Sequence, residues 1–364
     1  MVAMIKTNKT SVTKSRAIAL MLAALLALCA TECRTATTSS TASSEASQSA
    51  TQVITDLAGR KNTLPKNITR ISIVHPIPCQ MVWRLAPNKL ASVDKQFDDR
   101  LEFMNAAEQK RIKALPVTGE FHSGLSAEQI ISVNPQVVVS LTKDTDIDTE
   151  QKSFNIPVVA ASKDTLPDIA KSWRFIGKLV GNEKEGNALG DYWDSTVKMV
   201  TAQTSKIKKN NKLKVYYAQS TVTNTVGTKT IMASVIDLAG GISFMEENTQ
   251  KDSDATNESI PVSMEDICKW DPDVIITATE SGKEQILASS MWKNMSAVKN
   301  NRVYASTKYE MLDRTQSLMG LLWTAKTLYP SQITYDLNKE VRTFYSKVYL
   351  DNNVTDDEIT KPNS

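Results

Sequence analysis

Histidine and cysteine are scarce in this sequence. Its 364 residues contain two histidines, His75 and His122, and four cysteines. Cys79 and Cys268 are isolated in the chain, and no Cys-x-x-Cys pair or other metal-ligand spacing occurs. The pattern gives no support to a disulfide-rich scaffold or to a zinc-finger fold, and we predict no disulfide between Cys79 and Cys268.

Motifs of several large enzyme classes are also missing. The chain has no Gly-x-Ser-x-Gly elbow, no His-Glu-x-x-His pair, no Gly-x4-Gly-Lys-Ser/Thr loop and no Gly-x-Gly-x-x-Gly turn. A Ser-His-Asp triad could use only His75 or His122 as its base. We therefore expect a protein that is not an enzyme and that needs no cofactor.

Neither sign of charge dominates the chain. Lys and Arg number 43 against 40 Asp and Glu, a net charge of +3. Residues 1–28 hold four basic residues and no acidic one, so the rest has 39 basic against 40 acidic residues, a net charge of −1. Without a basic field, we expect no nucleic-acid partner.

Long apolar runs are absent except near the N-terminus. There, Ala17–Ala30 forms a run of 14 residues that follows Lys6, Lys9, Lys14 and Arg16. A membrane-spanning helix needs ~20 apolar residues, whereas a basic start and a shorter apolar core are typical of an export signal. We predict that residues 1–30 are a signal peptide.

A Ser/Thr-rich segment, residues 31–51, follows this signal. It has no apolar period and cannot bury enough surface to offset the entropy of ordering, so we expect a tether. Cys29, in "LLALC", resembles the cysteine of a bacterial lipobox, and we predict that it carries a lipid anchor. Cys33 follows Glu32 and is the poorer candidate, and simple cleavage to a soluble exported protein is the alternative.

From Thr51 onwards, short β-rich runs alternate with helical ones. "TQVITDLAGRKNTLP" predicts a hairpin, and a helix–Pro–strand unit occurs in both "SAEQIISVNPQVVVSL" and "SMEDICKWDPDVIITAT". This alternation predicts an α/β fold with a largely parallel sheet. Because the unit lies on both sides of a helical block, residues 164–211, we expect α/β lobes over 52–163 and 212–350, then a polar tail, 351–364. Two lobes form a groove, and ligands favour such interfaces.

Six segments, in this order, resemble the class III periplasmic binding proteins of ABC importers, which carry ferric siderophores, haem or cobalamin. They are "VITDLAGRKNTLPKNITRISIV", "LSAEQIISVNPQVVVSL", "VIDLAGG", "SMEDICKWDPDVII", "MWKNMSAVKNNRVY" and "GLLWTAKTLYP". The resemblance covers about Thr51–Tyr349. It implies two Rossmann-like lobes joined by a single long helix, with a ligand groove between them and modest hinge motion.

By this resemblance, two N-lobe loops that face the groove contain both histidines. These loops are "HPIPC" and "GEFHSG", and the expected ligand contacts are His75, Pro76, His122 and Ser123. A neutral imidazole can ligate a metal or hydrogen-bond to a carboxylate, phosphate or catecholate. A cage for a bare ion needs three or four close ligands, so His75 and His122 suit a metal that is already chelated. The alternative is that both are ordinary loop residues.

The C-lobe side of the groove is expected from "YYAQSTVTNTVGTKT" and "STKYEMLDR". The candidate ligand contacts there are Tyr217, Ser220, Thr228, Lys229, Tyr309 and Arg314. Tyr309 could stack on a flat ligand or ligate ferric iron, whereas Lys229, Lys308 and Arg314 could bind acidic groups. The alternatives are sheet packing for the tyrosines, Tyr216 above all, and a solvated rim for the lysines.

Many members of this family carry a glutamate on each lobe that docks onto permease arginines. The matching positions are Gln80 and Ser234, neither of them acidic, and Asp237 or Glu246 could replace the C-lobe acid. The resemblance implies docking through Gln80, Ser234 and Asp237.

The sequence as a whole predicts an exported, monomeric binding protein that captures an iron chelate, either a siderophore or haem. It would deliver this ligand to a membrane permease and its ATPase, and a lipid anchor would hold it at the membrane. A cobalamin or other corrinoid, an oxyanion, and a surface receptor without transport are the alternatives.

Overall fold

The computed structural model describes residues 50–120, 124–141, 149, 151–161, 165–248, 255–309 and 315–363. Residues 49–364 form one compact unit. Within the described residues, no helix has both the length and the apolar character that a bilayer span requires.

The globular part begins with the expected hairpin. Strands β1 (Thr51–Thr55) and β2 (Lys61–Pro65) pair antiparallel. In the turn, the Asp56 carboxylate accepts hydrogen bonds from the Arg60 amide at 2.9 Å and from the Ala160 amide at 3.2 Å. This buried carboxylate therefore fixes the turn and ties the hairpin to the N-lobe sheet.

The N-lobe contains a parallel sheet with the strand order β3-β6-β7. The three central residues Val137, Val138 and Val139 are fully buried, because helices and loops cover both faces of the sheet, as is usual for parallel strands. Its elements are β3 (Ile71–Ile73), α1 (Pro76–Leu85), α2 (Ala106–Lys113), β4 (Gly119–Glu120), β5 (Gly124–Leu125), α3 (Ala127–Ser132), β6 (Val137–Leu141) and β7 (Val158–Ala161). Short 3-10 helices cover Pro87–Lys89 and Lys95–Phe103.

Two antiparallel helices, α4 (Asp168–Val180) and α5 (Glu183–Thr204), connect the lobes. The 22 residues of α5 give a helix of about 33 Å. Gly181, with φ of 75°, ends α4 in the left-handed conformation that glycine adopts at low cost. The long helix of the sequence prediction is thus the second arm of a helical hairpin.

The C-lobe repeats the α/β plan. Its four parallel strands have the order β10-β8-β12-β13, and helices cover both faces. The elements are β8 (Lys214–Ala218), β9 (Asn224–Thr225), α6 (Ile231–Leu238), β10 (Ile242–Ser243), α7 (Phe244–Asn248), β11 (Ile260–Pro261), α8 (Met264–Trp270), β12 (Val274–Thr277), α9 (Glu280–Ala288), α10 (Ser296–Lys299), β13 (Val303–Ala305), α11 (Ser317–Leu328), α12 (Leu337–Phe344) and α13 (Asp356–Ile359). Tyr345–Tyr349 extends α12 as one π-helical turn.

The C-terminal residues pack against the C-lobe, which the description of 351–364 as a polar tail did not anticipate. Val354 is 5% exposed and Ile359 is 1% exposed. Pro362 pairs antiparallel with Thr307 beyond the end of β13. A reciprocal capping box between Thr355 and Glu358 begins α13.

Candidate functional site

The carboxyl ends of the parallel strands mark the edge of each sheet at which ligand-binding loops start. In the N-lobe, β3 leads directly into His75, while β6 and β7 lead into residues that lie outside the described ones. In the C-lobe, β8 leads into Ser220, and β13 leads into the segment that contains Tyr309. Among the loops with candidate residues, the structure thus describes the one after β3, the one after β8 and the first residues after β13, up to Tyr309.

His75 is the N-cap of α1. Its backbone is extended, and its Nδ1 accepts a hydrogen bond from the Ile77 amide at 3.2 Å. Pro76 occupies the first helical position, where a missing N–H costs nothing. Because Nδ1 is the acceptor of the cap, a ligand contact by this imidazole would have to use Nε2. The side chain is 6% exposed, so His75 has a structural role whether or not it contacts a ligand.

The loop residues after β8 present polar groups to solvent. Ser220 and Lys229 are exposed and Thr228 is half-buried. The Lys229 amide donates to the Ala255 carbonyl at 2.7 Å, which holds this part of the loop against the opposite segment. Hydroxyl and ammonium groups on a fixed backbone can bind the oxygen atoms of an anionic ligand.

Both candidate tyrosines are buried. Tyr217 lies in β8 and is 3% exposed, and Tyr216, on the opposite face of the sheet, donates its hydroxyl to the Val222 carbonyl at 3.1 Å. Tyr309 is 8% exposed, and burial, with the nearby carboxylates of Glu358, Asp351 and Glu102, raises the pKa of its phenol to about 12. Tyr309 therefore keeps its proton at neutral pH unless a metal displaces it.

Contacts between the lobes lie beside Tyr309. Lys308 forms an ion pair with Glu102, which belongs to the N-lobe 3-10 helix, and its Nζ lies 5.9 Å from the ring centroid of Phe103. The Phe103 and Tyr309 rings meet edge to face with centroids 5.2 Å apart. The sequence predicts a role for Tyr309 and Lys308 but not for Glu102 and Phe103, because nothing in the local pattern shows which residues of the other lobe they meet.

The expected docking residues occupy three different environments. Gln80 is fully buried, and its Nε2 donates to the Val348 carbonyl at 3.2 Å, so it cannot meet another protein in this conformation. Ser234 is half-buried; its Oγ accepts from the Leu166 amide at 2.9 Å and joins α6 to the residues just before α4. Asp237 has 63% of its side chain exposed and remains available for docking.

Four further candidates, His122, Ser123, Arg314 and the anchor residue Cys29, lie outside the described residues. The structure therefore describes only some of the predicted ligand contacts. Among the described residues it reveals no cluster of three or more His, Cys, Asp or Glu side chains that could hold a metal ion.

Comparison with protein families gives a match to the family described as periplasmic binding protein, over residues 83–310. Among curated proteins, the molybdate-binding protein MolA of Haemophilus influenzae is 23% identical over 329 residues, which cover 82% of this chain and 90% of MolA. A cobalamin-binding protein of Halobacterium salinarum is 24% identical over 254 residues, which cover 69% of this chain and 65% of that protein.

Solved structures give the same result for the fold. An ABC transporter solute-binding protein from Sulfurospirillum deleyianum superposes with a TM-score of 0.72 at 22% identity, covering 84% of this chain and 97% of that chain. The molybdate-bound structure of MolA superposes with a TM-score of 0.70 at 20% identity, covering 82% of this chain and 98% of that chain. At these identities the likeness establishes the fold and leaves the ligand open.

Proposed function

This chain belongs to the periplasmic binding protein family, and from that premise we propose that it captures an iron chelate, a ferric siderophore or haem, for import. It is a substrate-binding protein of an ABC transporter that acts outside the cytoplasm. In the proposal, the chelate binds between the lobes and passes to a membrane permease with its ATPase. The protein itself performs no chemistry on the ligand.

The polar loop after β8 is the observation that carries the ligand proposal. Ser220 and Lys229 are exposed and Thr228 half-buried, and these three side chains offer hydroxyl and ammonium donors. Siderophores and haem present hydroxamate, catecholate or carboxylate oxygens, which such donors bind well. On the N-lobe side, Nε2 of His75 would complete the contact, together with His122, Ser123 and, from the C-lobe, Arg314.

An oxyanion such as molybdate is the second candidate. MolA aligns with this chain over 90% of its own length and has the same fold, with a TM-score of 0.70. The same donors that would bind chelate oxygens would bind a tetrahedral oxyanion. A corrinoid, suggested by the cobalamin-binding relative, is the third ligand to test.

The experiment is a ligand screen on the full-length protein. Native mass spectrometry on freshly purified material identifies a co-purifying ligand, and titration with ferric hydroxamate, haemin, molybdate and cyanocobalamin gives dissociation constants from Trp fluorescence. We expect tight binding of one iron chelate. Binding of molybdate alone would replace the iron proposal by the oxyanion one, and binding of none of the four would contradict both.

Lys229→Gln tests whether the loop after β8 contacts the ligand. Loss of one ammonium that contacts an anionic ligand should weaken binding about 10-fold, equivalent to about 1.4 kcal/mol. Lys293→Gln is the matched control, since Lys293 is an exposed lysine of the same lobe that lies outside the loops of the candidate groove. If the two variants bind ligand with equal affinity, Lys229 does not contact the ligand.

Docking and anchoring are separate parts of the proposal. Asp237 is the exposed acidic candidate for the permease contact on the C-lobe, and Cys29 is the candidate lipid anchor. Asp237→Asn should reduce ligand uptake by cells while ligand affinity in solution stays the same.

Cys29→Ser should release the protein from the membrane fraction, whereas unchanged fractionation would favour simple cleavage.

A further inference from the structure

The C-terminal segment, residues 345–363, contacts the N-lobe through helix α1. Gln80 donates its amide to the Val348 carbonyl at 3.2 Å, and Arg84 Nε donates to the Lys347 carbonyl at 2.6 Å. Both acceptors lie in the π-helical turn, and π-turns often occur at functional positions. Side chains of α1 thus hold the backbone of a segment more than 260 residues away in sequence.

The same segment is attached to the C-lobe by side chains. The Tyr345 hydroxyl donates to the Tyr309 carbonyl at 3.0 Å. The Tyr349 hydroxyl and Thr315 Oγ1 are 2.6 Å apart and share a hydrogen bond. Each of these bonds is buried. Breaking one therefore leaves polar groups unpaired at a place that water does not reach.

Backbone bonds attach its last residues to the C-lobe sheet. The Lys308 amide donates to the Lys361 carbonyl at 3.1 Å, and the Asn363 amide donates to the Ser306 carbonyl at 3.1 Å. The segment therefore holds the residues that lead from β13 towards the candidate groove.

An aromatic cluster fills the space between these attachments. The Phe103 ring from the N-lobe lies 5.2 Å from Tyr309, 5.2 Å from Tyr345 and 5.3 Å from Tyr349, measured between centroids. All four rings are at most 8% exposed. Separating the lobes at this point would expose aromatic surface, which carries a large hydrophobic cost.

We propose that residues 345–363 form a brace that couples the two lobes and limits how far they open. The brace is separate in sequence from the hairpin α4–α5, which connects the lobes covalently, and it also contacts that hairpin where Lys347 Nζ lies 5.5 Å from the ring centroid of Tyr192. The proposal does not depend on the identity of the ligand. It holds α1 of the N-lobe, which follows His75, and the segment Ser306–Tyr309 of the C-lobe. Weakening the brace should let the lobes move apart without unfolding either one.

The test measures the separation of the lobes by pulsed electron paramagnetic resonance. Spin labels are placed at Lys113→Cys in the N-lobe and Lys293→Cys in the C-lobe, both exposed positions. The full chain also carries Cys29→Ser, Cys33→Ser and Cys268→Ser, and Cys79 needs no change because it is fully buried.

The brace variant is Tyr345→Phe with Tyr349→Phe, which keeps both rings and removes both hydroxyls. We expect the distance distribution to broaden or shift outward by more than about 2 Å, the scale of a real domain rearrangement. The matched control is Tyr216→Phe with Tyr329→Phe, which removes two buried hydroxyls that bond to Val222 and Gly240 inside the C-lobe. The control should leave the distribution unchanged.

An unchanged distribution in a folded brace variant would overturn the proposal, as would equal broadening in the control. Circular dichroism verifies that each variant is folded. If the double brace variant does not fold, Tyr345→Phe alone replaces it, since this change removes one hydroxyl of the brace, the one that donates to the Tyr309 carbonyl. Broadening in Tyr345→Phe supports the brace, and an unchanged distribution contradicts it.

Discussion

At the scale of single residues, His75 serves the fold first. A histidine that ends a strand and precedes two prolines suggests a ligand contact, but its Nδ1 caps α1. The cap explains why a polar residue occupies a site that is 6% exposed. A ligand role and a capping role can coexist, because they would use different ring nitrogens.

The two roles of His75 can be separated by substitution. His75→Ala should lower the free energy of unfolding by about 1 kcal/mol, because the Ile77 amide loses its acceptor. His75→Asn should recover most of that loss, since asparagine is a good N-cap. Urea unfolding measures the stability of each variant, and ligand titration measures its affinity for ligand. If both variants bind ligand as the wild type does, the histidine only caps the helix.

Gln80 shows a residue that sequence reasoning placed on the surface and the structure places in the core. Its Nε2 has a partner at 3.2 Å, whereas its Oε1 is buried without one. The partner, Val348, is 268 residues away in sequence, and no local pattern predicts such a contact.

Gln80→Glu should destabilise the protein in a pH-dependent way. A carboxylate in this buried site lacks a cation to pair with Oε1, so its pKa in the folded state should lie above the value of about 4.3 that it has when unfolded. An acid with a raised folded pKa binds more protons in the folded state, so stability falls as pH rises above about 4. We expect a loss of about 3 kcal/mol at pH 7 that largely disappears near pH 4.

Thermal unfolding from pH 4 to pH 8, with Gln80→Met as the control, checks this expectation. Methionine has nearly the same shape and no charge, so its effect should not depend on pH beyond that of the wild type. A pH-independent loss in Gln80→Glu would mean that water or a cation reaches the site.

At the scale of elements, the α4–α5 hairpin depends on two facing glycines. A Cβ added to Gly177 would lie 2.7 Å from Gly186 Cα, a distance that real Cβ atoms do not adopt. The helix backbones can therefore pack closely only if both positions lack side chains. The sequence predicts a helical block over residues 164–211, but it does not show which glycine faces which.

Gly177→Ala should force the helices apart and lower the unfolding free energy by about 1–3 kcal/mol, the cost of overpacking. Gly282→Ala is the matched control: it also lies in a helix, and its nearest neighbour to an added Cβ is 3.5 Å away. That change should be neutral or stabilising by up to about 1 kcal/mol, since alanine favours helix. Urea unfolding measures the change in unfolding free energy for the two variants. Equal changes would disprove the close-packing argument.

Strands and helices of the lobes could be predicted because their signals are local. The run Val137–Leu141 and the run Val274–Thr277 are mostly apolar, follow an Asn-Pro or Asp-Pro break, and form β6 and β12 as expected. The site could be predicted only in part, since burial decides the role of Tyr217 and Tyr309, and burial depends on neighbours from distant elements. Local patterns place a residue on an element but do not show what packs on it.

At the scale of the whole molecule, the C-terminus completes the fold. Residues 351–363 are rich in polar side chains, yet Val354 and Ile359 belong to the same core cluster as the apolar residues of both lobes. Composition averaged over the segment hides these two residues, which is why it suggested a polar tail. The brace proposal extends this observation from stability to the movement of the lobes.

Ile359→Ala tests whether the C-terminus is part of the core. Ile359 is 1% exposed, and removing three buried carbons should lower the unfolding free energy by about 2–4 kcal/mol. Leu350→Ala, just before this segment, is the control; Leu350 is 57% exposed, so its truncation should change stability by less than about 0.5 kcal/mol. Urea unfolding gives both values. Near-equal stability of the two variants would show that the core does not need the C-terminus, whereas the expected difference makes residues 351–363 part of the folded unit.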